Sequence, residues 1–115
     1  MANTRKILIV DDDTRNIFAL TSVLEEHHMV ILSADNGRDA IKILQAEPEI
    51  DIVLMDIMMP EMDGMETIRE IRKIQNLKDL PIVAVTASAM QGDREKALAA
   101  GFNGYLTKPL PLSSL

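Results

Sequence analysis

Asp11 and Asp12 follow the apolar run Ile7-Leu8-Ile9-Val10, and Asp56 follows Ile52-Val53-Leu54-Met55. Thr86 follows Ile82-Val83-Ala84-Val85, and Lys108 comes just after Tyr105-Leu106. If these runs are parallel strands of one sheet, their carboxyl ends share an edge. Three carboxylates, a hydroxyl and an ammonium then converge there. Clustered carboxylates repel one another unless a cation offsets them. Oxygen ligands without cysteine or a nearby histidine suit a hard ion, Mg2+ or Mn2+, rather than Zn2+. Asp12 and Asp56 are the expected direct ligands, Asp11 binds directly or through water, and a backbone carbonyl near Met58 completes the set. Phosphoryl transfer needs an in-line nucleophile, a bridging metal and cations on the spreading charge. Asp56 is the best nucleophile, since carboxylates form aspartyl-phosphate intermediates. Lys108 supplies a point charge to the phosphoryl oxygens, and the Thr86 hydroxyl donates to another.

Simpler explanations compete for these residues. Acids favour helix N-termini, so Asp11-Asp12-Asp13 could be a helix cap, but capping does not require three acids in a row. A calcium loop would need an acid or amide at Arg15 and glycine at Asn16. A haloacid-dehalogenase-type phosphatase fails at Arg15 as well. Arg15 and Asn16 flank the site and could help orient a phosphoryl donor. His27 and His28 end the first helical stretch, where a cation favours the dipole, and no kinase motif surrounds them. Met58, Met59 and Met62 lie beside Asp56 either as flexible gap-fillers or as an apolar loop for a partner helix.

The elements that must position these groups are legible in the apolar pattern. Residues 6–10, 29–33, 52–55, 81–85 and 103–106 are rich in Val, Ile and Leu with little alternation, as a parallel sheet covered on both faces demands. Between them Ile17, Leu20 and Leu24 recur at helical spacing, as do Ala40, Ile41 and Leu44, then Met65, Ile68 and Ile71. Asp13 is placed to cap the first helix, and Asp63 with Glu66 resembles a capping box opening the third. Gly101 suits a left-handed C-cap, and Pro48 and Pro81 end connections before strands. The pattern predicts an α/β fold of flavodoxin-like type. Its parallel five-stranded sheet runs in the order 2-1-3-4-5 with helices on both faces. Ligands then bind where the chain reverses between strands 1 and 3, at Asp11, Asp12 and Asp56.

Composition narrows the function. The chain has 115 residues, enough for one core, and a formal charge of −6 with dispersed basic residues. Direct nucleic-acid binding is therefore not expected. No apolar run reaches the ~20 residues that span a bilayer, and no signal-peptide pattern opens the chain. Cysteine is absent, which excludes disulfides and thiolate metal sites and fits a cytoplasmic setting. After Lys108-Pro109, Pro111 suits the first turn of a fifth helix that barely begins. A single domain over 1–115 lacking most of its last helix is the expectation, with self-association through the face left uncovered.

In order, Ile7-Leu8-Ile9-Val10-Asp11-Asp12, Val53-Leu54-Met55-Asp56-Ile57-Met58-Met59-Pro60, Met62-Asp63-Gly64, Val85-Thr86-Ala87 and Gly104-Tyr105-Leu106-Thr107-Lys108-Pro109 resemble the receiver domain of two-component response regulators. The resemblance runs from about Lys6 to Pro109. It implies that Asp56 accepts a phosphoryl group from a phosphohistidine on a histidine kinase or histidine phosphotransfer domain. It implies Asp11, Asp12 and the Met58 carbonyl as Mg2+ ligands, Lys108 and Thr86 on the phosphate, and the Ala87 backbone at the phosphoryl group. A cis Lys108–Pro109 peptide is implied too, as is a switch in which Thr86 moves toward the phosphate and the Tyr105 ring turns in. Slow self-catalysed dephosphorylation would follow. The stretch from Thr86-Ala87-Ser88-Ala89-Met90 to Gly92-Asp93-Arg94-Glu95-Lys96-Ala97 resembles receivers of hybrid sensor histidine kinases. Two alternatives differ in class: a receiver-like binding module that works without phosphate, and a flavodoxin-like cofactor protein. The first is disfavoured because every chemical position is filled. The second lacks a Ser-, Thr- and Gly-rich loop after strand 1.

Overall fold

Five strands pair in parallel: β1 (Lys6–Val10), β2 (Val30–Ala34), β3 (Ile52–Asp56), β4 (Ile82–Thr86) and β5 (Gly104–Thr107). Their order across the sheet is 2-1-3-4-5, as the apolar pattern predicts. The computed structural model describes residues 5–26, 29–57, 64–86 and 92–107. Within these lie α1 (Thr14–Glu25), α2 (Gly37–Ala46), α3 (Gly64–Arg72), α4 (Asp93–Ala100) and a 3-10 turn at Gln75–Leu77. Expected features at His27, His28, Asp63 and Pro111 lie outside the described residues. No described helix is long and apolar enough to cross a membrane.

Period-two side-chain alternation divides the apolar runs between two cores. Leu8, Val10, Val53, Met55, Ile82 and Ala84 face one way, against Ala40 and Leu44 of α2, Ile68 and Ile71 of α3, and Ala97 of α4. Ile7, Ile9, Leu54 and Val85 face the other, against Leu24, Ile17 and Leu20 of α1. Covering on both faces explains why the strands read as continuous rather than alternating hydrophobic runs. Three strands are displaced by one residue from the expected 29–33, 81–85 and 103–106. β3 keeps its expected start at Ile52 but runs one residue past the expected 52–55, so Asp56, like Thr86 on the displaced β4, ends its strand instead of following it. The ladder decides this: Asp56 is in register with Val85 and Thr86 with Thr107.

Local chemistry sets the helix ends. The Asp13 carboxylate accepts from the Arg15 amide at 2.9 Å and caps α1. Asn36 caps α2, accepting from the Asp39 amide while its own amide group donates to the Asp39 carboxylate, a reciprocal cap. Gly101 ends α4 at φ 123°, where a side chain would be strained, so the expected glycine cap is present.

One side chain ties together the segments that lead into β4 and β5. Arg72, at the end of α3, donates to the carbonyls of Leu77, Lys78, Leu80 and Gly101 and to Asn103 Oδ1, at 2.6–3.1 Å. Asn103 Oδ1 also accepts from the Ile82 amide. A single planar guanidinium thus joins α3, the 3-10 turn, the entry to β4 and the exit of α4. Burial lowers the Arg72 pKa from its ordinary value, yet a guanidinium remains charged at neutral pH.

Candidate functional site

The β1–β3 ladder ends at the pair Val10 and Met55, so one further residue brings Asp11 level with Asp56 on the neighbouring strand. Asp11 stays attached to the sheet edge through its amide, which donates to the Ala34 carbonyl at 3.1 Å. Asp56 is held on its other side, where the Ile57 amide donates to the Val85 carbonyl at 3.1 Å. Both carboxylates are buried, at 2% and 5% exposure, while Asp12 is exposed. One carboxylate oxygen from each of Asp11, Asp12 and Asp56 lies within 4.8 Å of the others. The site therefore has two anions in its floor and one at its mouth.

Asp13 is excluded from this group by its own geometry. Its carboxylate caps α1 and pairs with the Arg15 guanidinium at 3.3 Å. The Arg15 side chain, with the Arg15 amide adding to it, holds the Asp13 carboxyl below the ordinary carboxylate range. The helix-cap explanation thus accounts for Asp13 and leaves Asp11, Asp12 and Asp56 to a different role. Asp11 Oδ1 accepts from the Asp13 amide at 2.8 Å, which aims the Asp11 carboxylate and fixes the turn into α1.

Thr86 is fully buried at the end of β4. Because Ala84 is in register with Tyr105, and Thr86 with Thr107, Thr86 and Tyr105 are diagonal neighbours on one face of the sheet. The Tyr105 hydroxyl is buried and its ring packs against the larger core. Met58, Ala87, Lys108 and Pro109 lie outside the described residues, as do Met59 and Met62.

One residue at the site has a role that its motif alone does not disclose. A Cβ on Gly64 would sit 2.6 Å from Ile57 Cα and 2.8 Å from the Asp56 carbonyl oxygen. The start of α3 thus rests directly on the backbone that bears the central carboxylate. The available signal was a glycine opening a helix shortly after a strand that ends in aspartate.

Three hard oxygen donors at this spacing fit a small divalent cation whose remaining positions are taken by water and an anionic oxygen. No thiolate or imidazole lies among them, so the set does not suit zinc.

The response regulator receiver domain family model matches residues 7–115. The sensor histidine kinase GacS of Pseudomonas protegens is 39% identical over 108 residues, covering 91% of this chain. The chain spans 12% of that kinase's length. Among solved structures, the receiver domain of the Pseudomonas aeruginosa sensor histidine kinase PA1611, with magnesium coordinated in its active-site cleft, has 35% identity and a TM-score of 0.87. That match covers 96% of this chain and 90% of that one. A chain of the co-crystal structure of the Saccharomyces cerevisiae histidine phosphotransfer protein Ypd1 with the Ssk1 receiver domain has 34% identity and a TM-score of 0.86. Here 96% of this chain and 83% of that chain are covered. Receiver domains of this kind act in phosphorelays. With the strand order, the buried aspartate pair and a family match over nearly its whole length, the chain belongs to the response regulator receiver domain family.

Proposed function

We propose that Asp56 is the phosphoacceptor of this domain and that a protein phosphohistidine is the donor. The observation that carries the reading is the approach of the Asp11, Asp12 and Asp56 oxygens to within 4.8 Å at the C-terminal edge of β1 and β3. In the transfer, a new P–O bond forms to an Asp56 carboxylate oxygen as the donor P–N bond breaks. The imidazole nitrogen keeps the electron pair and takes up a proton. Hydrolysis later cleaves the P–O bond with water and restores the carboxylate.

Asp11, Asp12, Asp56 and the Met58 carbonyl would hold Mg2+, which offsets their mutual repulsion and binds a phosphoryl oxygen. Asp56, central in the sheet and buried, presents its carboxylate from a fixed backbone, which favours in-line attack. Lys108 and Thr86 stabilise the equatorial oxygens, with the Ala87 amide as a further donor. The diagonal placement of Tyr105 beside Thr86 supports their proposed coupling: movement of the Thr86 hydroxyl toward phosphate changes the space available to the ring. The likeness to GacS and PA1611 supports a parent protein of the hybrid sensor kinase class, in the cytoplasm.

The test is incubation with acetyl phosphate and Mg2+ followed by intact mass. One added phosphate is expected on the wild type and none on Asp56→Asn or with excess chelator. Equal labelling of Asp56→Asn would refute the assignment. No labelling of the wild type would leave a phosphate-independent binding module as the better reading.

A further inference from the structure

Two of the three site carboxylates sit on one turn, and that turn is held at each end. On the sheet side the Asp11 amide donates to the Ala34 carbonyl at 3.1 Å. On the helix side the chain is fixed at Asp13. The Asp13 carbonyl accepts from the Asn16 and Ile17 amides at 3.1 and 3.2 Å, and its Oδ1 accepts from the Arg15 amide at 2.9 Å. The Asp13 amide donates to Asp11 Oδ1 at 2.8 Å. The helix behind it is itself anchored, because Ile17, Leu20 and Leu24 pack on the sheet. The buried Asp11 carboxylate thus takes its direction from the start of α1 as well as from the end of β1. Asp12, exposed at the mouth, is the single residue between these two fixed points, so they also set its reach toward Asp56.

Asp13 has two ways to act on an ion held by Asp11, Asp12 and Asp56. One is charge, as a further carboxylate that draws a cation in. The other is the cap. Geometry disfavours the first. Asp13 is not among the carboxylates that approach within 4.8 Å of one another, and its two oxygens accept from the Arg15 guanidinium at 3.3 and 3.4 Å. That pairing offsets the Asp13 charge before it reaches the ion. The cap remains. Without an acceptor at residue 13 the Arg15 amide loses its partner and the first turn of the helix loosens. The Asp13 amide then has no fixed position from which to hold Asp11 Oδ1. Groups that orient a metal ligand from outside add to affinity in this way.

We infer that Asp13 is a positioning residue of the ion site, acting through its capping hydrogen bond rather than through its charge. This rests on the reading of Asp11, Asp12 and Asp56 as Mg2+ ligands. The coupling is reciprocal: to the extent that the cap tightens Mg2+ binding, bound Mg2+ steadies the first turn of α1.

The experiment is a Mg2+ titration followed by the Ile57 amide resonance in NMR, on wild type, Asp13→Asn, Asp13→Thr and Asp13→Ala. All three substitutions delete the same charge. Asparagine caps a helix about as well as aspartate, threonine less well and alanine hardly at all, so differences among the variants isolate the cap. Asp13→Asn should stay close to wild type, and Asp13→Ala should bind Mg2+ about three- to tenfold more weakly than Asp13→Asn. Asp13→Thr should fall between them. Equal affinities in the three variants, beside a wild type that binds, would overturn the proposal alone. A residue that only stabilises the helix gives that result, with a lower urea midpoint in Asp13→Ala and no change in its Mg2+ affinity relative to Asp13→Asn. Absence of Mg2+ binding in the wild type would overturn the ion site itself and this proposal with it, which separates the two failures.

Discussion

Gly64→Ala probes how tightly the site is built. The added methyl would stand 2.6 Å from Ile57 Cα, 2.8 Å from the Asp56 carbonyl oxygen and 3.0 Å from Ile57 Cγ2. Non-bonded carbon atoms rest at ~3.5–4.0 Å, so relief requires a relative backbone shift of about 1 Å. Two of the three clashing atoms belong to backbone, so no rotamer change can absorb it. Overpacking of this kind costs about 1–3 kcal/mol. A reacting group misplaced by ~1 Å loses about 100-fold in rate, and a shift shared with α3 loses less. We expect a lower urea midpoint by about 2 kcal/mol and an acetyl phosphate reaction slowed by about 10- to 100-fold. Gly104→Ala is the matched control, because its methyl meets only Val83 side-chain atoms at 3.6 and 3.7 Å, ordinary contact. Both substitutions change the unfolded chain alike, so their difference reports the contact. Wild-type stability and rate in Gly64→Ala would refute the close approach of α3 to the Asp56 backbone.

Arg72→Met keeps the aliphatic stem but leaves the four carbonyls without this donor and takes one of two donors from Asn103 Oδ1, and should lower the stability read from urea unfolding by about 2–4 kcal/mol. Arg72→Lys should not rescue it, since one ammonium cannot span acceptors laid out for a planar fork; a lysine variant as stable as wild type would contradict the clamp. Folding favours the ionised form of Asp13, so its contribution to α1 is complete above the ordinary carboxylate value of 3.8 and is lost as pH falls through the lower folded value. In an NMR titration Arg15→Gln should raise the Asp13 midpoint, and an unmoved midpoint would show that the ion pair has no part in it.

Much of the site was legible because parallel strands bury both faces. The runs around Leu8, Val53 and Ala84 announce strands, and the residue at the end of each run is then placed at one edge by topology. The lone exception among the acids, Asp13, was recognised as a cap from its position before Ile17 and Leu20. β2, β4 and β5 lie one residue beyond the apolar runs and β3 ends one residue later than its run, because strand ends are set by register with a neighbour, which local hydrophobicity does not encode.

From its own order of residues the chain determined the parallel strands, the helices between them and the gathering of Asp11, Asp12 and Asp56 at one sheet edge, because periodicity and handed connection fix these once the flavodoxin-like order is taken. Other features were settled only by packing. Gly64 must be small because the Asp56–Ile57 backbone passes beneath it. Arg72 finds acceptors 5 to 31 residues away. Phe18 faces water because Ile17, Leu20 and Leu24 already occupy the sheet. Each depends on where a distant segment comes to lie in space, a quantity absent from any local window of sequence.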